Sequence, residues 1–182
     1  MTLVILGVLL WVVAHFFKRV APEARARLGG NGKAIIAGVL FLSILLMIFG
    51  YRGADFIEVY SPPSWGLDLN NLLMVFAVIL MGLGKSKSRL NGLTRHPMLV
   101  GVKVWAIAHL LVNGDLASII LFGGLFVWAI LQIILINRAE PVWTKPKIGN
   151  LAGDMMLLVI SVAVFTVLVT VHYLLGYPVF PG

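Results

Sequence analysis

Four imidazoles stand in otherwise apolar sequence: His15, His96, His109 and His172. A polar ring in hydrocarbon is unfavourable until it finds a partner, so an ionisable residue inside a membrane span is a functional hypothesis by default. The seven acidic residues (Glu23, Asp55, Glu58, Asp68, Asp115, Glu140, Asp154) all fall in loops or near the ends of apolar runs. No carboxylate is therefore available at depth to orient a histidine as in a catalytic triad, and a hydrolytic zinc centre would lack its acid–base group. The chain contains no cysteine. Disulfides, iron–sulfur clusters, thiolate-ligated haem, covalent c-type haem and cysteine nucleophiles are thereby excluded. The histidines are then either hydrogen-bonded structural groups or ligands, and neutral imidazole suits iron in a porphyrin once the second ring nitrogen has a hydrogen bond of its own.

Two of the histidines occupy matching surroundings. GVLLWVVAH (7–15) and GVKVWAIAH (101–109) share the pattern G-V-x-x-W-x-x-A-H. Gly, Trp and His are four residues apart in each copy, so they stack on one helix face. The small Gly and Ala would admit another backbone or a flat ligand. Trp11 and Trp105 would each offer a ring face one turn before the imidazole. No echo links the remaining spans, so the match reads as a local pairing of function rather than a duplicated fold.

The elements that must carry these residues are membrane helices. Charged residues make up 12% of the 182, and mean hydropathy is +1.03, against about 25% charged in soluble domains. Six runs approach the roughly 17–25 residues needed to cross a bilayer: about 3–20, 34–50, 69–84, 97–112, 116–136 and 152–174. The third and fourth are short enough to be tilted, re-entrant or extended by flanking residues. Asp68 and Asp115 stand where N-caps of the third and fifth helices would fall. The N-terminal run is not a cleavable signal, because its basic residues follow the apolar stretch. The expected architecture is an all-α polytopic bundle of about six spans, read as a single domain over 1–182.

Charge sets its orientation. Of the fourteen Lys and Arg residues, twelve fall in three loops: Lys18 to Lys33, Lys85 to Arg95, and Arg138 to Lys147. The positive-inside rule makes those loops cytoplasmic and places both termini on the periplasmic side. The formal net charge of +7 is thus topological, and nucleic acid is excluded as a partner; the lipid bilayer is the expected one. The outer loop 51–68, with Tyr51, Tyr60, Trp65 and Pro62-Pro63, reads as an interfacial aromatic belt.

At 1.5 Å per residue, His109 lies roughly 6 Å and His172 roughly 13 Å outward of their span centres, with His15 and His96 mirroring them on the inner side. Depth alone therefore pairs His109 with His172 and His15 with His96. Lys103, about two turns inside the cytoplasmic edge, either snorkels or neutralises an anionic group such as a haem propionate. Arg95 has the same two readings, surface anchor or propionate clamp.

The block RHPMLVGVKVWAIAHLLVNGDLASIILFGG (95–124) resembles the NnrU family of bacterial integral membrane proteins, which is associated with denitrification and nitric oxide metabolism. The likeness runs along nearly the whole chain. It includes the first-span His followed by a basic loop, FGYRGA (49–54), and a last span ending VHYLLGYPVF (171–180). The same block is similar to plant 15-cis-zeta-carotene isomerases, membrane proteins whose haem b assists isomerisation of a cis double bond. Their R-H-P and W-C-x-A-H elements match Arg95-His96-Pro97 and Trp105 to His109. That resemblance implies His109 as first haem ligand and His15 as its partner; His172 and His96 stand as alternates on their own placement in or beside the spans. The isomerases' cysteine is Ala106 here, so a redox-driven Cys/His exchange is impossible in this chain.

The resulting expectation is a haem b protein of the bacterial inner membrane. Candidate cofactor contacts are His109, His15, His172, His96, Arg95, Lys103, Trp105 and Trp11. Isomerisation of a lipophilic polyene, and electron or nitric oxide handling beside a respiratory or denitrification complex, both stay open, as does the question of whether the protein is an enzyme. The competing class is a non-enzymatic membrane scaffold or assembly factor. A third reading takes RHPMLVG, similar to the R-H-P of membrane methyltransferases, as part of a methyl-donor site, but the apolar C-terminal LLGYPVFPG departs from that pattern.

Overall fold

The computed structural model describes residues 1–180 and is all-helical across them. Its elements are α1 (Thr2–Val20), α2 (Pro22–Ala26), α3 (Gly32–Arg52), α4 (Gly66–Leu83), α5 (Pro97–Leu110), α6 (Leu116–Ser118), a π-helical turn (Ile119–Gly123), α7 (Gly124–Ala139) and α8 (Leu151–Leu174). Five helical stretches are long and apolar enough to cross a membrane: α1, α3, α4, the run Leu116–Ala139, and α8. The shorter apolar helix α5 has 14 residues, or about 21 Å, less than the roughly 30 Å hydrocarbon thickness. Six apolar helical stretches thus fall where spans were expected, five of them long enough to cross and the fourth, α5, shorter.

The chain folds as two compact units, each drawn from two stretches of sequence. Met1–Ser61 and Asn113–Ala139 form the first; residues 62–112 and the chain from Glu140 onward form the second. The first is built on α1 packed along α3, with α7 against α1. The second is built on α4 packed along α5, with α8 against α4.

The echoed glycines explain both pairings. A Cβ on Gly7 would meet the Met47 backbone nitrogen at 2.8 Å and the Ser43 carbonyl oxygen at 2.9 Å, both on α3. One on Gly101 would meet the Ala77 carbonyl oxygen at 2.9 Å and the Met81 nitrogen at 3.1 Å, both on α4. In lipid, helices associate by close backbone approach rather than by hydrophobic exclusion, and glycine permits it in each unit. The companion alanines, Ala14 and Ala108, are buried as well. Of the two uses open to these small residues, both copies serve the approach of a neighbouring backbone.

The helix ends follow local chemistry. Asp115 caps α6, accepting the Ser118 N–H at 3.0 Å and the Ser118 hydroxyl at 2.5 Å. Asp68, expected as a cap, instead lies inside the first turn of α4, whose cap is Trp65. The cause is the Pro62-Pro63 turn, in which the Gly66 N–H bonds the Pro63 carbonyl and starts the helix three residues early; the carboxylate still complements the helix dipole there. Asn150 caps α8 by accepting the Gly153 N–H. In the first unit the outer loop is stitched to residues 113–116: Val59 and Tyr60 N–H bond the Gly114 carbonyl, and Leu116 N–H bonds that of Ile57. Phe56, Ile57, Val59 and Tyr60 of that loop are exposed, as an interfacial belt requires.

Within the second unit, Asp154 in the first turn of α8 organises the loop after α4. It accepts the Ser88 hydroxyl and the Arg89 N–H, both at 2.7 Å, and pairs with the Arg89 guanidinium at 2.5 Å. The Asn150 N–H also reaches back to the Lys87 carbonyl. At the far end of α8, the Val179 carbonyl accepts from Asn71 at 2.7 Å, drawing the tail back to α4.

Candidate imidazole sites

Three of the four histidines use one local device. The Nδ1–H of His15 donates to the Trp11 carbonyl at 2.9 Å, that of His109 to Trp105 at 2.9 Å, and that of His172 to Leu168 at 2.7 Å. Each acceptor lies four residues earlier on the same helix. A carbonyl oxygen can only accept, so Nδ1 bears the hydrogen and, in the neutral ring, Nε2 keeps the lone pair. A metal-ligating imidazole needs that arrangement: one nitrogen anchored, the other offered.

His109 and His172 come together in the second unit, with ring centroids 6.4 Å apart and planes inclined by 50°. This is the pair that depth suggested. Trp105 lies beside His109, its ring 5.1 Å away. Two imidazoles bonded to opposite faces of one metal at about 2 Å per bond stand roughly 6 Å apart between centroids, whereas a tetrahedral ion would bring them to roughly 5 Å. The observed separation suits the former. Among the described residues no three His, Asp or Glu converge as a metal cluster. A porphyrin supplies four nitrogens itself and asks the protein for only one or two axial ligands, so the donor set fits haem.

His15 belongs to the first unit. Its ring lies 4.3 Å from that of Trp11 and 4.7 Å from that of Trp128, which meets both edge-on. Trp128 and Gln132, one turn apart on α7, were not singled out in the sequence, and both are buried. The indole Nε1 of Trp11 and of Trp128 and the Gln132 Oε1 are buried with no hydrogen-bond partner. Unpaired polar atoms are costly in such surroundings, and here they flank an imidazole whose Nε2 is an acceptor. The signal in the sequence was Gln132, an amide inside an apolar run.

The other expected contacts separate from His109. Along α5, Arg95 and His96 precede it by thirteen residues or more, about 20 Å of helix, which removes His96 as its alternate partner and Arg95 as a propionate clamp there. Arg95 donates instead to the Glu140 carbonyl, and His96 is the N-cap of α5. Lys103 is about 9 Å along the helix and about 120° around it from His109, off the imidazole face and placed to snorkel.

Apolar helices long enough to cross a bilayer define a multi-pass membrane protein. The chain belongs to the NnrU family: the model for NnrU protein matches residues 3–179, covering nearly all of it. No curated protein and no solved structure matches it.

Proposed function

We propose that this NnrU-family chain is a haem b protein of the bacterial inner membrane that handles electrons in support of nitric oxide metabolism. The observation that carries the reading is the His109–His172 pair, two Nδ1-anchored rings at 6.4 Å. His109 and His172 would hold the iron, and Trp105 would pack beside the His109 ring. Haem ligated by two imidazoles supplies one-electron chemistry. The protein's own part is to exclude water with apolar helices and hold both rings in the Nε2-acceptor form.

The isomerase resemblance supports a second reading, in which a lipophilic polyene is the substrate. His15 carries the same Trp-carbonyl anchor as His109. Ala106, buried where those relatives have cysteine, argues against their ligand exchange. A respiratory or denitrification complex would be the partner in either case.

The test is a visible spectrum of the protein purified from haem-replete cells. The reading expects a Soret band that is lost in His109→Ala. A colourless wild-type preparation would overturn it and favour an assembly factor whose histidines are structural.

A further inference from the structure

A basic recess lies outside that site, about 20 Å of helix away from His109. Lys85, Arg95 and His96 line one part of it and Pro97, Met98 and Leu99 another, around a cavity of about 300 Å³ at the start of α5. The lining is thus cationic on one side and apolar on the other. Arg95 is half-buried and donates to the Glu140 carbonyl. That bond uses one of the guanidinium's five N–H groups. Asp154, the carboxylate that organises the adjoining loop, is already taken by Ser88 and Arg89.

Two features select the ligand. The recess adjoins the basic loops, where phosphate headgroups meet the ends of apolar helices. Met98 is 50% exposed, and Leu90 and Leu93 of the adjoining loop are 53% and 74% exposed, so apolar surface flanks the charges. Free phosphate would use the cations alone; a phospholipid uses both halves.

We propose that this recess binds the headgroup phosphate of an anionic phospholipid. Arg95 and Lys85 meet the phosphate oxygens, His96 stands at the rim, and the acyl chains run along Met98 and Leu99. The assignment is independent of the haem reading.

The test uses full-length protein in mild detergent, offered phosphatidylglycerol, phosphatidylcholine or inorganic phosphate, with bound lipid counted by native mass spectrometry. Phosphatidylglycerol is expected to be retained over phosphatidylcholine. The Lys85→Gln/Arg95→Gln pair should reduce retention roughly tenfold, with helical circular dichroism unchanged. If that pair does not fold, Lys85→Glu alone, at an exposed position, must still weaken retention. Equal retention of phosphatidylcholine overturns the proposal. So does an equal loss in Lys145→Gln/Lys147→Gln, which would mean diffuse surface charge. Displacement of the lipid by equimolar inorganic phosphate would assign the recess to a soluble anion and overturn the lipid.

Discussion

His172 stands 6.4 Å from His109, ring to ring, though 63 positions separate them in the chain, and each ring is held by a carbonyl of its own helix. Because each helix orients its own ring, removing one leaves the other in place. On the proposed haem reading, His172→Ala should therefore leave His109 as the remaining ligand and change the visible spectrum, and added imidazole should restore it. An unchanged spectrum would move the second ligand elsewhere, with His15→Ala the next variant to record.

Gly7→Val and Gly101→Val should each destabilise the protein by about 1–3 kcal/mol, because the added atoms meet backbone of the neighbouring helix as well as the Met47 or Met81 side chain. Gly38→Ala is the control. Nothing lies within 4 Å of its added methyl, so helix propensity alone should make it neutral or stabilising by up to about 1 kcal/mol. Thermal unfolding in detergent, followed by circular dichroism, compares the three.

Asp154→Ala should release the loop after α4. Ser88 is fully buried, and its hydroxyl would lose its acceptor, a loss of about 1–3 kcal/mol. The Arg89–Asp154 ion pair itself is partly exposed and contributes little beyond that. Limited proteolysis with trypsin should cut first at Lys85, Lys87 or Arg89 in the variant and much more slowly in the parent.

Tyr60 gives a pH signature in the outer loop. Partial burial, and secondarily the negative Asp115, raise its phenol above the ordinary value of about 10. The unfolded chain then ionises first. This contribution to stability is complete below about pH 10 and declines as pH rises through the folded value. Ultraviolet titration of Asp115→Asn should bring the phenol down toward its ordinary range, and an unmoved titration would contradict the electrostatic part.

The absence of cysteine makes the orientation directly testable. Thr144→Cys should react with an impermeant maleimide only in opened cells, and Ser61→Cys in intact ones. The reverse pattern would invert the topology that the positive loops imply.

Much of this was legible in the sequence because lipid imposes a simple grammar. Long apolar runs separated by basic loops placed the six spans to within a few residues, and Asp115 fell at its cap. Asp68 did not, since a helix start set by two prolines and a close-packed Gly66 depends on turn geometry rather than on a capping side chain. Depth along each helix paired His109 with His172. The neighbours of His15 were hidden, because one tryptophan in an apolar run reads as a membrane-facing ring. Only packing of α7 on α1 brings Trp128 and Gln132 inward. The positions of Arg95 and Lys103 relative to His109 were calculable from helix rise and rotation.

The discontinuous make-up of the two units bears on biosynthesis. When the ribosome has delivered α1 and α3, their unit still lacks Asn113–Ala139, and α4 and α5 are synthesised before that segment emerges. Those two helices then wait in turn for α8. A message truncated anywhere between residues 62 and 112 would therefore leave the first unit without Asn113–Ala139 and the second without α8.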